Sequence, residues 1–108
     1  MPIIIFDVSC EGLRKWMVRV GRVPPGWLLL PTRYRYDFQI ERWAECLEDE
    51  TRKRVFIATY DKDFQGNPRA VILDPGESYE EQATELIRRI AGKLGAGGDV
   101  LVKAPRLT

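Results

Sequence analysis

The sequence predicts an α+β fold: a curved, mainly antiparallel sheet or partly open barrel of about six strands, with one C-terminal amphipathic helix packed on it and then a final strand. Two observations indicate this fold. Most of the first 74 residues form apolar runs or two-residue alternations that glycines and prolines separate. Residues 78–94 instead repeat apolar side chains with a helical period. The helix needs a surface for its apolar stripe, and the sheet provides one.

The first hairpin is predicted from two segments. Residues 2–8 form a nearly continuous apolar run that is rich in β-branched side chains, which is typical of a well-buried strand. Residues 14–20 alternate, with Trp16, Val18 and Val20 on one face. Gly12 provides a turn between the two segments. We therefore expect them to pair as antiparallel strands.

Residues 33–40 read "RYRYDFQI" and alternate aromatic with polar side chains. We expect a strand, after a short apolar run at 27–30 that Pro31 ends. Neighbouring side chains of a strand point to opposite faces, so the rings and the guanidinium groups would lie on different faces. Two orientations are open. The favoured one buries Tyr34, Tyr36 and Phe38, and exposes Arg33 and Arg35.

Residues 41–52 fit two descriptions. Ile40, Trp43, Ala44 and Leu47 match the spacing of a helix that buries one face. A turn at residues 48–51 would instead fold the segment onto residues 53–60, so that Trp43 faces Phe56. We favour the hairpin and keep the helix as the alternative.

The last third of the chain holds clearer signals. Residues 55–60 and 69–74 are predicted strands, and residues 61–67 are predicted to be a hairpin turn between them. Ser78 followed by Glu81 predicts a capping box that begins a helix. This helix is expected to end near Leu94, before Gly95. Residues 100–103 are predicted to form the final strand, and the last five residues a loose tail.

Composition excludes several classes of protein. The 108 residues fit one domain, and 44% apolar with 31% charged residues argue against disorder. The absence of histidine removes the commonest general base and transition-metal ligand. Cys10 and Cys46 form no zinc motif, so we expect free thiols, no metal and no cofactor. We find no membrane span or signal peptide and expect a cytoplasmic protein, with an Arg- and Glu-rich, amide-poor composition like that of thermophiles.

Two further motifs are candidates for chemistry. Residues 61–66 match the first half of a calcium loop, but Ile72 stands where the bidentate Glu is needed. Only a weak exposed cation site at Asp61 and Asp63 stays open. Pro2 before a buried strand resembles the tautomerase arrangement, in which an N-terminal proline amine is the catalytic base. That resemblance covers Pro2 and the strand after it, and implies an enzyme only if Met1 is removed.

Residues 12–36 hold six basic side chains and no acidic one, together with several aromatic rings. Arginines and rings together are typical of surfaces that bind single-stranded nucleic acid. We predict a small non-enzymatic binding domain that contacts nucleic acid through a basic strand face within residues 14–35. A protein-interaction or assembly subunit is the alternative, and an enzyme that uses Pro2 is the third. The predicted contacts are Arg14, Lys15, Arg19, Arg22, Arg33, Arg35, Trp16 and Trp27.

Overall fold

The structure, a computed structural model, describes residues 1–101, and the side chains of residues 1–95. It contains four strands, three α-helices and two short 3-10 helices. The strands are β1 (Ile3–Phe6), β2 (Leu28–Pro31), β3 (Val55–Thr59) and β4 (Ala70–Ile72). The helices are α1 (Glu11–Val20), α2 (Asp37–Thr51) and α3 (Tyr79–Leu101), and the 3-10 turns are Val8–Cys10 and Lys62–Phe64.

The four strands form one parallel sheet in the order β2-β1-β3-β4. Helices α1 and α3 cover one face, where Leu13 and Leu86 join the core. Helix α2 covers the other face with Ile40 and Ala44. This is an α/β fold with the arrangement of Rossmann- and flavodoxin-like proteins.

The predicted α+β class, with its antiparallel sheet or partly open barrel, is therefore wrong. Residues 14–20 belong to α1, so the first hairpin and the basic strand face do not form. Leu13 and Met17 are fully buried, while Val18 is 56% exposed. The apolar side chains that this segment buries are thus four residues apart, as in a helix, and not two residues apart, as in a strand. Gly21 ends the helix with a left-handed φ of 76°.

The predicted strand at 33–40 and the hairpin at 41–52 are also wrong. Residues 33–36 connect β2 to α2, and the residues after them form that helix. Ile40 and Ala44 are buried against the sheet, as the helical alternative required. Tyr36 and Phe38 are exposed, which contradicts the orientation that buried them.

Other elements are confirmed. The predicted strands at 2–8, 55–60 and 69–74 contain β1, β3 and β4, and the apolar run at 27–30 contributes to β2. The capping box is present, since Ser78 N–H donates to Glu81 Oε1 (3.0 Å) and Glu81 N–H donates to Ser78 Oγ (3.1 Å). Because β3 and β4 are parallel, the connection at 61–67 is not a hairpin turn.

The predicted C-terminal strand is wrong where the structure describes it, because residues 100 and 101 belong to α3, which continues past Gly95. Residues 102 and 103 and the predicted tail lie outside the described residues. None of the helices that the structure describes is long and apolar enough to cross a membrane.

An ion pair connects α2 to β4 near the start of the strand. The Arg69 guanidinium donates to Glu48 Oε1, and Val55 N–H donates to Glu48 Oε2 at 3.0 Å. Both side chains are about one quarter exposed. Desolvation raises the pKa of Glu48, but the bonds from Arg69 and Val55 outweigh it and hold that pKa below its usual range.

Glu48→Gln is therefore expected to lower the free energy of unfolding by about 1–2 kcal/mol at pH 7, because the amide loses charge-assisted bonds. A lowered folded pKa means that this stabilisation is present above the unfolded pKa, near 4.5, and is lost as the pH falls through the folded value. Urea unfolding at pH 7 and pH 3 measures both effects. Glu50→Gln, an exposed change on the same helix, is the control, and an equal loss at both pH values would contradict the assignment.

Candidate functional site

The carboxyl edge of the sheet is the first place to look for a site. The direction in which the chain adds strands reverses between β1 and β3. The chain passes from β1 to β2 on one side, and then returns to place β3 and β4 on the other side of β1. Open α/β sheets bind ligands outside the carboxyl ends of their strands at such a point. Asp7 follows β1 here, Thr32 follows β2, and Tyr60 follows β3.

Asp7 joins the ends of β1 and β3. Its Oδ1 accepts the Val8 N–H at 2.9 Å, and its Oδ2 accepts the hydroxyls of Thr59 (3.0 Å) and Ser9 (3.3 Å). Thr59 is fully buried, and its Oγ1 also accepts the Asp61 N–H at 2.9 Å. The Asp7 carboxylate is thus occupied by bonds that hold the strand ends together.

Three other carboxylates converge beside these strand ends. Asp37, Asp61 and Asp63 place one oxygen each within 4.8 Å of the others. The pKa of Asp37 is raised, mainly by desolvation and then by the negative charges of Asp61, Asp7, Asp63 and Glu41. Such oxygens could hold a divalent cation. Exposed acidic groups are also common without an ion, so we assign no metal to them.

The segment 33–38 lies next to these carboxylates and presents three aromatic rings to solvent. Tyr34, Tyr36 and Phe38 are 37%, 56% and 72% exposed. The rings of Tyr36 and Phe38 are nearly parallel, with an interplanar angle of 11° and centroids 6.1 Å apart.

Local hydrogen bonds hold the backbone of this segment. The Thr32 hydroxyl accepts the Tyr34 N–H at 3.1 Å and donates to the Tyr34 carbonyl at 3.0 Å. The Tyr36 N–H donates to Gln39 Oε1 at 3.3 Å, as in a helix cap. The exposed rings are therefore attached to an ordered turn and the first turn of α2.

An open groove of about 1000 Å³ runs from this segment along the outer side of α2. Tyr34 meets Trp43 edge to face at 5.7 Å, and the Arg33 guanidinium lies 5.8 Å from the centre of the Trp43 ring. Four carboxylates and two arginines line the groove, so its wall is acidic overall. The charged residues are Arg33, Arg42, Asp37, Glu41, Glu45 and Glu50.

The structure separates the predicted contact residues. Helix α1 carries Arg14, Lys15, Trp16 and Arg19. The connection from α1 to β2 carries Arg22 and Trp27, and the connection from β2 to α2 carries Arg33 and Arg35. Helix α1 returns from the carboxyl edge to the amino edge of the parallel sheet. Arg22 is therefore at the opposite end of the sheet from Arg35.

Several of the predicted contacts have structural partners. Arg14 pairs with Glu11, and Arg22 pairs with Glu80. Trp16 packs on Tyr79 with ring centroids 6.1 Å apart, and Trp27 packs against the core. A binding role for these four residues, and for Lys15 and Arg19, stays a prediction.

Sequence reasoning missed two parts of the site. It noted Asp61 and Asp63, but not Asp37, which reaches them only because α2 begins beside the connection that follows β3. It singled out Tyr34 and Tyr36, but expected them to be buried. Pro31 was the available signal, since a strand that ends there leaves residues 33–36 unpaired.

Comparisons of this chain with known protein families, with curated protein sequences and with solved structures give no match.

Asp63→Asn is expected to lower the pKa of Asp37, because it removes one of the charges that raise it. Because the pKa of Asp37 is raised in the folded protein, the ionisation of Asp37 lowers the free energy of unfolding as the pH rises from the unfolded pKa through the folded pKa. Asp63→Asn should therefore lose less free energy of unfolding over this pH range than the unchanged protein does. Carboxyl-detected NMR titration measures the pKa. Asp49→Asn, near the far end of α2, is the control, and an unchanged Asp37 pKa in Asp63→Asn would contradict the cluster.

Proposed function

We propose that this protein binds single-stranded nucleic acid through the segment 33–38. The observation that carries the proposal is the alternation, on an ordered turn, of exposed rings with arginines. Aromatic side chains stack on unpaired bases and contribute about 1–3 kcal/mol per base. Tyr36 and Phe38 offer the most exposed faces for such stacking.

The two arginines of the segment are available to phosphate. Among the described residues, neither Arg33 nor Arg35 has a carboxylate oxygen within 4.0 Å. Guanidinium groups form forked hydrogen bonds to phosphate and also stack on bases. The Arg33 guanidinium is already placed over the Trp43 ring. The proposal thus retains two of the six basic residues that the sequence suggested.

The neighbouring carboxylates set a limit on the affinity. Asp37 and the acidic groove wall repel phosphate, and the net charge of the chain is only +1. Stacking should therefore provide most of the binding free energy. Two phosphate contacts predict a slope of about −1.4 for log K against log salt with a single strand. A strongly basic binding domain would show a much steeper slope.

Tyr36→Ala and Phe38→Ala are each expected to weaken binding of a fluorescent oligothymidine by about 5-fold or more, because each removes a stacking surface. Arg33→Gln with Arg35→Gln should weaken binding and flatten the salt dependence by about 1.4 in slope. Fluorescence anisotropy in EDTA measures both effects without bridging cations.

Matched controls lie on other surfaces of the protein. Leu28→Ala removes an exposed apolar side chain at the amino edge, and Arg88→Gln removes an exposed guanidinium from α3. Both should bind like the unchanged protein. If the ring variants also bind like the unchanged protein, or if affinity is independent of salt, segment 33–38 is not the binding surface.

A second candidate function is assembly with another copy through β2, and the contrast between the two sheet edges favours it. At β4, Arg89 Nη1 donates to the Ile72 carbonyl at 2.9 Å, and Lys93 Nζ donates to the Pro68 carbonyl at 3.1 Å. Such cations protect an edge strand from pairing. At β2, the parallel register directs the Leu29 N–H and carbonyl away from β1.

Apolar side chains flank that open edge. Leu28 is 50% exposed, and Val18 is 56% exposed on the side of α1 away from the Trp16–Tyr79 contact. A two-fold axis would pair Leu29 with its copy through two hydrogen bonds. Pro31 has no N–H and adds no further donor, so the association would be weak.

Light scattering is expected to show a concentration-dependent dimer, which Leu28→Glu with Val18→Glu should abolish by placing charges at the contact. Val8→Glu is the control, because Val8 is exposed at the carboxyl edge. A protein that stays monomeric at NMR concentrations would rule out this assembly.

Two other sequence-based expectations stay predictions. Pro2 is buried at the amino edge, and its carbonyl accepts the Leu28 N–H at 3.1 Å, far from the carboxyl edge. No observation on the described residues supports its use as a base. A cytoplasmic location rests on the sequence.

A further inference from the structure

A second groove lies at the edge of the sheet beside β4, and we call it the β4 groove. Its volume is about 550 Å³, within the range of small-molecule sites. Its walls come from the connection after β3, from β4 itself, and from two side chains of α3 that reach past the edge. The lining includes Lys62, Phe64, Gln65, Ala70, Arg89 and Lys93.

The charge of the β4 groove has one sign. Lys62, Arg89 and Lys93 contribute cations, and the described lining holds no carboxylate. This differs from the groove along α2, where carboxylates outnumber arginines. A cleft lined by one sign of charge concentrates ligands of the opposite sign.

The positive charge is not neutralised by the bonds that the cations make. Arg89 and Lys93 donate to the carbonyls of Ile72 and Pro68, which are neutral acceptors. The nearest carboxylate to Arg89 is that of Glu85, at 3.9 Å, and it makes a shorter contact of 2.7 Å with Arg88. Among the described residues, Lys62 and Lys93 have no carboxylate oxygen within 4.0 Å.

The same bonds hold Arg89 and Lys93 in place before any ligand arrives. A long side chain that is already fixed loses less conformational entropy on binding. Phe64 and Ala70 are buried and give the groove an apolar floor, and Gln65 adds an amide group to its lining. The Asn67 side chain also lines the groove, but it already donates to Glu41 and accepts the Arg69 N–H. The groove therefore combines fixed cations with a surface for an uncharged ligand body.

We propose that the β4 groove binds a small organic phosphate, with Lys62, Arg89 and Lys93 around the phosphate and the organic part against the floor. A phosphomonoester carries a charge of about −1.5 to −2 at neutral pH, which suits three cations better than a single carboxylate does. The volume exceeds what inorganic phosphate alone would fill. This ligand is separate from the nucleic acid proposed for segment 33–38.

The competing explanation is that Arg89 and Lys93 only protect the edge of β4 from pairing. Lys62 distinguishes the two explanations, since it lines the groove from the 3-10 turn after β3 and makes no bond to the carbonyls of Ile72 or Pro68. Edge protection does not need Lys62, whereas phosphate binding does.

Two-dimensional NMR of the ¹⁵N-labelled protein tests the proposal by titration with ribose 5-phosphate, ribose and inorganic phosphate. Ribose 5-phosphate should shift the amides of Gln65, Gly66 and Asn67, inorganic phosphate should shift them with lower affinity, and ribose should not shift them. Lys62→Gln and Lys93→Gln should each weaken ribose 5-phosphate binding by about 3- to 10-fold.

Lys53→Gln, an exposed lysine that does not line the groove, is the matched control and should bind like the unchanged protein. Equal shifts with ribose and ribose 5-phosphate, or an unchanged affinity in Lys62→Gln, would overturn the proposal. An unchanged ribose 5-phosphate affinity in Lys93→Gln, accompanied by self-association, would also overturn the proposal in favour of edge protection. Arg33→Gln with Arg35→Gln should leave the titration unchanged, so the test is independent of nucleic-acid binding.

Discussion

The structure depends on burying β1 and β3 on both faces. Every residue of Ile3–Phe6 is at most 2% exposed, and every residue of Val55–Thr59 is at most 1% exposed. Parallel strands cannot be joined by tight turns, so the chain between them must cross over the sheet and cover it. Helix α1 crosses one face between β1 and β2, and α2 crosses the other face between β2 and β3. Helix α3 follows β4 and packs beside α1, and each of the three helices contributes an apolar stripe to the core.

This constraint explains why some elements could be predicted and others could not. The near-continuous apolar run at 2–8 predicts a well-buried strand, and such runs are typical of parallel sheets. Residues 14–20 fit two periods, because Trp16, Val18 and Val20 alternate while the buried Leu13 and Met17 repeat every four residues. The parallel pairing of β1 with β2 decides for the helix, because the chain between two parallel strands has to cross over the sheet. The helix at α3 was predictable because its capping box is local.

The candidate site was predictable in composition but not in geometry. The sequence shows that arginines and rings are interleaved at 33–38, whereas their simultaneous exposure requires a turn in place of a strand. In a turn, side chains do not alternate between two faces, so rings and guanidinium groups can serve one ligand. The Asp37 and Asp61 carboxylates lie close together because of where α2 begins relative to the end of β3. No local sequence pattern predicts the distance between these two side chains.

The bonds at the strand ends determine which residues remain free for a ligand. Asp7 occupies the reversal point of the sheet, but three donors already use its carboxylate. Ligand contacts are therefore left to side chains beyond the strand ends. Segment 33–38 contributes rings and Arg33 to the groove along α2, and the β4 groove contributes cations. The two grooves share no lining residue, and one is acidic overall while the described lining of the other holds cations without a carboxylate, so the two surfaces are better explained as separate sites.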